Sequence, residues 1–163
     1  MSGSGAPHAE LSQSIDGQIA IVCAKWHREI SDALLSGAQR AADQAGITQV
    51  RVEWVPGSFE LPLAAQSLLD SGIDAVVVLG LVLRGETPHF DYVCDGVTRG
   101  VMDLMLKSGK PIGFGVLMCD TLEQAQARAG LPGSSEDKGF EATAAALEML
   151  HFQRSLLHCL ESK

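Results

Sequence analysis

Basic residues and aromatic rings are what this sequence has least of. Lysine and arginine number 12 against 20 acidic residues, giving a formal net charge of -8 and a pI near 5.0. Nucleic acid and anionic membranes are poor bulk partners for such a surface, because both need a basic face. The scarcity also makes Arg84, Arg128 and Lys138 informative, since only the fold could collect them into a cationic pocket on an acidic body. No long uncharged apolar run is present, so no membrane span is expected. The cysteines, Cys23, Cys94, Cys119 and Cys159, include no C-x-x-C pair and have no histidine at zinc-finger spacing. Cys23 and Cys94 fall in or beside apolar segments and read as buried thiols. No secretory signal is legible at the N-terminus, so a reducing, cytoplasmic setting is expected. Aromatics make up 5% and hydrophobic residues 46%, with a mean hydropathy of +0.14. That balance leans toward spare apolar surface of the kind oligomers bury.

What is present points to one α/β domain. A chain of 163 residues fits a single core. Residues 1–16 read as a flexible arm, rich in Ser, Gly and Ala to about Ser14; residues 17–158 form the domain and 159–163 a tail. The apolar stretches 18–23, 48–55, 75–81 and 112–118 read as strands. Helical spacing follows each: from Ile30 to Gly46; from Phe59 to Asp70 with Ser58 as its cap; from about Asp91 to Ser108; and a short helix after Asp120 or Thr121, reaching Arg128 and closed by Gly130. After a polar loop at 131–137, a last helix starts near Lys138 and carries Ala142, Ala145, Met149, Phe152 and Leu156 on one face, its end loosely held from about His151. Four strand–helix alternations predict a three-layer αβα sandwich around a four-stranded parallel sheet, with right-handed crossovers. The strands read as continuous apolar runs, as expected when helices cover both faces.

Ligands in open α/β sheets bind beyond the carboxyl ends of the strands. Trp26 follows the first strand, Pro56-Gly57-Ser58-Phe59-Glu60 the second and Arg84-Gly85-Glu86-Thr87-Pro88-His89 the third, and Phe114 reads as near the outgoing end of the fourth. Topology alone therefore brings these segments to one rim. Trp26 is either a core residue or a stacking platform for a planar ring. Glu60 either complements a helix dipole or accepts hydrogen bonds from ligand hydroxyls. Phe59 and Phe114 read as core. His89 can move protons near neutral pH, and an oxyanion beside it could meet free N–H groups at the helix start. Arg84 is a surface charge or a structural partner of Asp91. Arg128 is a helix-terminal cation or a phosphate clamp, and Lys138 a solvated lysine or part of that clamp.

The motifs Val55-Pro56-Gly57-Ser58-Phe59-Glu60, Arg84-Gly85-x-Thr87-Pro88-His89-Phe90-Asp91-Tyr92-Val93-Cys94, Asp120-Thr121-x-Glu123-Gln124-Ala125, Arg128-Ala129-Gly130 and Lys138-Gly139 closely resemble the lumazine synthase family. The resemblance runs from about Gln18 to Leu150. It implies a flavodoxin-like sheet, no metal and no organic cofactor. It also implies the transferase reaction that joins 5-amino-6-(D-ribitylamino)uracil to 3,4-dihydroxy-2-butanone 4-phosphate, the penultimate step of riboflavin biosynthesis. By the same resemblance, Trp26 would stack on the pyrimidine, and Ser58, Phe59 and Glu60 would hold ring and ribityl chain. Leu81, Val82 and Leu83 would line the ring site through their main chain. Glu86, Thr87 and Arg128 would meet the butanone phosphate, with His89 as the acid/base residue. Phe114 would close the ring pocket, and Lys138 would sit near the phosphate and ribityl side. The acidic Glu86 departs from the small or neutral residues usual at that turn, so its backbone N–H is the expected contact.

The resemblance further implies a homo-oligomer with sites between neighbouring subunits. The length of the 131–137 loop matches pentameric rather than shell-forming members, and riboflavin synthase is a candidate partner. Two other readings compete. A flavin- or lumazine-binding module would want a small, glycine-bearing loop after the first strand, and Cys23-Ala24-Lys25-Trp26-His27 is bulky and lacks glycine. A shell protein without turnover would not need Trp26, Glu60, His89 and Arg128.

Overall fold

A computed structural model describes residues 15 and 17–161. The rest of the expected N-terminal arm and the last two residues lie outside the described residues. Four strands, β1 (Ile19–Ala24), β2 (Val50–Val55), β3 (Ala75–Leu83) and β4 (Ile112–Cys119), form one parallel sheet in the order β2-β1-β3-β4. The helices are α1 (Arg28–Gln44), α2 (Leu61–Asp70), α3 (His89–Ser108), α4 (Leu122–Gln126) and α5 (Lys138–Glu161). This is the three-layer arrangement that the strand–helix alternation predicts and the flavodoxin-like sheet that the resemblance implies. The chain reverses its direction of travel across the sheet between β1 and β3, and such a switch point opens a crevice beyond the strand ends.

The inner strands are apolar throughout because each serves two cores. Ala20, Val22, Val76 and Val78 face α2 and α3, meeting Leu61, Ala65, Leu68, Phe90, Val97 and Val101. The alternate residues Ile21, Cys23, Val77 and Leu79 meet Ile30, Leu34 and Ala38 of α1 and Ala142 and Ala146 of α5. Edge strand β2 departs from the expected apolar run: it is mostly half-buried, and Arg51 and Glu53 pair along it at 2.8 Å.

Small residues set the spacing between layers. A Cβ on Gly139 would stand 1.9 Å from the Leu34 carbonyl oxygen, and one on Gly113 2.3 Å from that of Ala142. Helix α5 thus lies against α1 and β4 at backbone distance. Asp137 fixes its start, accepting the Phe140 N–H at 3.0 Å and pairing with Arg40 at 2.5 Å.

Several expectations need correction. Ser58 does not cap a helix: 58–60 form a single 3-10 turn, and the buried Ser58 hydroxyl donates to the Leu81 carbonyl at 3.3 Å. Helix α3 begins at His89, ahead of Asp91, because Pro88 already has helical φ at -61°. Phe114 is the third residue of β4, opposite Val78, and so lies near the incoming end of the strand. Phe59 and Phe114 are not core residues, being 61% and 39% exposed. Cys23 is buried but Cys94 only half-buried. Met149, Phe152 and Leu156 stay outside the core; α5 instead buries Ala142, Thr143, Ala144, Ala146, Leu147 and Leu150. Ile15, placed in the arm by composition, is buried and donates its N–H to Ala45 at 3.0 Å.

Candidate functional site

Three strand ends and one helix start meet in a cleft of about 290 Å³, lined by Trp26, His27, Gly57, Ser58, Phe59, Glu60, Leu81, Val82, Leu83, His89 and Val93. Trp26 is 68% exposed, so it is not a core residue. The turn that carries it is tied down: the Lys25 N–H donates to Val55 at 3.0 Å, and the Ser31 hydroxyl donates to the Trp26 carbonyl at 3.2 Å. His27 next to it has a left-handed backbone with φ 52°, a conformation non-glycine residues seldom adopt.

Glycines allow the walls to close up. A Cβ on Gly57 would lie 3.2 Å from Glu60 Oε2 and 3.4 Å from Trp26 Cδ1, so indole and carboxylate flank a bare Cα. A Cβ on Gly80 would lie 2.7 Å from Ser58 Oγ, and one on Gly96 2.9 Å from Phe59 Cε2. The Ser58 turn therefore rests on β3, and the Phe59 ring rests on α3. Leu81 and Val82 are buried and Leu83 half-buried, so this part of the floor is apolar.

His89 enters from the far side as the first residue of α3. Among the described residues, the backbone N–H groups of Gly85, Glu86, Thr87 and His89 have no protein acceptor. They are free to meet an anion, with the helix dipole in their favour. Glu86 and Thr87 themselves are exposed on the 84–88 turn and do not line the cleft.

None of the three scattered cations lines the cleft, but the fold brings two of them together: the Lys138 backbone N–H donates to the Arg128 carbonyl at 2.9 Å. Arg84 pairs with Asp120 and Asp91 at 2.5 and 3.3 Å, which favours the structural reading of this residue. Arg128 donates to the Gln124 carbonyl at 2.9 Å. Arg128 follows α4, the short helix after β4, and does not line the cleft. Burial raises the Cys119 thiol pKa, and the Arg128 charge partly offsets this. Lys138 sits between Glu136 and Glu141 at 2.5 and 2.6 Å. Burial alone would lower its pKa, but the two carboxylates prevail and raise it. Lys138 and Phe114 share a second groove of about 280 Å³ along the β4 edge, between α3 and α5.

A planar wall, a carboxylate, an imidazole and unpaired N–H groups suit a flat, hydroxylated and anionic ligand set. The model of the family described as 6,7-dimethyl-8-ribityllumazine synthase matches residues 16–154. The chain belongs to that family. The 6,7-dimethyl-8-ribityllumazine synthase of Streptomyces coelicolor is 50% identical over 96% of this chain and 97% of its own length. The protein of that name from an Arthrobacter species is 55% identical over 90% and 94%, and that from Frankia casuarinae 54% over 96% and 98%. Membership makes the chain a transferase of riboflavin biosynthesis that forms 6,7-dimethyl-8-ribityllumazine.

Of the site residues read from the sequence, the fold gathers Trp26, Ser58, Phe59, Glu60, Leu81, Val82, Leu83 and His89. It sets Glu86, Thr87, Arg128, Phe114 and Lys138 outside that cleft. The reading had no role for Gly57, His27 and Val93. Val93 stands four residues after His89, one turn along α3, and starting that helix at Pro88 would have put both on one face.

Proposed function

We propose that this cleft binds 5-amino-6-(D-ribitylamino)uracil, with the indole of Trp26 against the ring and Glu60 accepting from ligand hydroxyls. The supporting observation is the convergence of Trp26, Glu60 and His89, from three separate loops, on one cleft in a chain of this family. In this reading the butanone phosphate lies beside the first substrate. Its phosphate meets the N–H groups of the 85–87 turn, with the Glu86 side chain turned away and Arg128 as the counter-charge. The substrate's amine is the nucleophile, so the protein supplies none. Condensation gives an imine with loss of water, phosphate leaves, and ring closure loses a second water. Holding two reactants together contributes ~7–11 kcal/mol in favourable cases, and a proton carrier at His89 a further factor of roughly 10²–10⁴.

The working unit in this proposal is a cytoplasmic homopentamer. The β4-edge groove with Phe114 and Lys138, and the exposed Met149 beside it, support a face that a neighbouring copy covers. Among the described residues no helix is long and apolar enough to cross a membrane. Riboflavin synthase is the proposed protein partner, to be tested by co-sedimentation. The direct test of function is lumazine absorbance from the two purified substrates, run beside light scattering. Absence of product, or a fully active monomer, would defeat the respective part.

A further inference from the structure

The turn assigned above to the butanone phosphate carries its own buttress. Arg84 is the residue between the end of β3 and that turn. Its backbone N–H donates to the Cys119 carbonyl at 2.9 Å, prolonging the β3–β4 pairing. Its Nε donates to Asp120 Oδ1 at 2.5 Å and its Nη1 to Asp91 Oδ1 at 3.3 Å. Its guanidinium carbon lies 4.1 Å from the centroid of the Phe90 ring, and Phe90, next to His89, is only 9% exposed.

One planar cation thus links the segment after β4, the first turn of α3 and a buried ring adjoining His89. The turn 85–88 runs from the anchored Arg84 to His89, the first residue of α3. Arg84 does not line the cleft, and a guanidinium already shared between two carboxylates is poorly free to take a phosphate as well. Its exposed ion pairs add little stability one by one. What they fix is orientation, and they do so with a flat fork that stacks and pairs at once. A lysine ammonium is a point charge and cannot reproduce that geometry.

We infer that Arg84 is a positioning residue for the 85–88 turn and His89, acting through Asp120, Asp91 and Phe90. This rests on the roles proposed above for the turn and for His89. The test uses the full chain carrying Arg84→Met, Arg84→Lys, His89→Ala or the Arg84→Met/His89→Ala pair, with kcat and both substrate KM values measured beside unfolding midpoints. Arg84→Met should raise the KM for butanone phosphate and lower kcat, each on the order of tenfold or more, as small misplacements of reacting groups do. The KM for the ribitylaminouracil, whose proposed ring and hydroxyl contacts are Trp26 and Glu60 on other loops, should move less than that for butanone phosphate.

Arg84→Lys should fail to restore the wild-type values, and it also covers the case in which Arg84→Met does not fold. In the His89→Ala background, Arg84→Met should cost little further kcat yet still raise the butanone phosphate KM. Equal changes in both KM values, wild-type kinetics in Arg84→Met, full rescue by lysine, or additive losses in kcat would each overturn the inference. If His89→Ala alone leaves kcat unchanged, the acid/base reading of His89 fails, and the KM split alone decides the role of Arg84 on the turn.

Discussion

Replacing Gly80 with alanine should destabilise the protein through Ser58, by an amount that follows from the contacts. The new Cβ would stand 2.7 Å from Ser58 Oγ, 3.1 Å from Ala24 Cβ and 3.5 Å from Leu61 Cδ1. Position 80 is buried and Ala24 and Leu61 have no exposed surface, so relief must come from the 58–60 turn. Overpacking of this kind costs about 1–3 kcal/mol. Moving Ser58 Oγ also stretches its 3.3 Å hydrogen bond to Leu81, for about 1 kcal/mol more. Alanine recovers roughly 0.4–1 kcal/mol by restricting the unfolded chain. The net loss is about 2 kcal/mol.

Ser58→Ala alone should cost about 1 kcal/mol, for one hydrogen bond. In the double variant the atom nearest the new methyl group is gone, so the combined loss should fall short of the sum by about 1 kcal/mol. Urea unfolding reads this, at one fixed protein concentration because association shifts the midpoint, with the slope checked for constancy. Additive losses, or a Gly80→Ala protein as stable as wild type, would refute the claim that the Ser58 turn is seated on β3 by the absence of a side chain at 80.

Three further outcomes are expected. His89→Ala should keep measurable lumazine formation, because two bound reactants stay juxtaposed without it; an undetectable rate in the folded variant would contradict this. Arg128→Ala should raise the KM for butanone phosphate more than that for the ribitylaminouracil, and an unchanged value would remove Arg128 from the site. Burial pushes the Cys23 thiol from 9.0 up to about 12. The folded chain therefore keeps a proton that the unfolded chain releases above pH 9, and the thiol's share of stability, full below that pH, falls as pH rises toward 12. Urea unfolding of Cys23→Ala should show a shallower alkaline decline than wild type, and equal slopes would refute the assignment.

The alternation of strands and helices was legible because the inner strands are apolar runs punctuated by Gly and Pro, and parallel topology then places their loops on one rim. Trp26, Glu60 and His89 could be brought together on that ground alone. Where the reading failed, tertiary packing used a residue for a purpose its local pattern did not reveal. A hydroxyl just before a helical stretch suggests a cap, yet Ser58 is buried and its hydroxyl donates to the Leu81 carbonyl on β3. Periodicity weights large side chains, so it chose Met149, Phe152 and Leu156 for the face of α5. The helix instead lies at backbone distance from β4 and α1, where Gly113, Gly139 and Ala142 are what fits. Phe114 was misplaced because an apolar run does not announce which of its residues opens the strand.

The place of Phe114 near the incoming end of β4 bears on how a complete site is built. The cleft holds the indole, the carboxylate and the imidazole, but neither Arg128 nor Lys138 lines it. Lys138 stands with Phe114 in a groove along the β4 edge, and its backbone N–H donates to the Arg128 carbonyl at 2.9 Å, which puts Arg128 beside that edge. If a neighbour's β4 edge covers the cleft, as in the proposed pentamer, Trp26 and Arg128 of one working site come from different copies. Co-expressing Trp26→Ala and Arg128→Ala chains separates the possibilities. Each variant alone has a defect in every site. In randomly mixed rings, a site is intact when the cleft comes from an Arg128→Ala copy and the edge from a Trp26→Ala copy, which happens in about one site in four for a head-to-tail contact. At substrate concentrations where each variant alone is nearly inactive, activity recovering to about a quarter of wild type is therefore expected. If each copy builds its own site, mixing leaves every site defective, and activity stays at the average of the two variants.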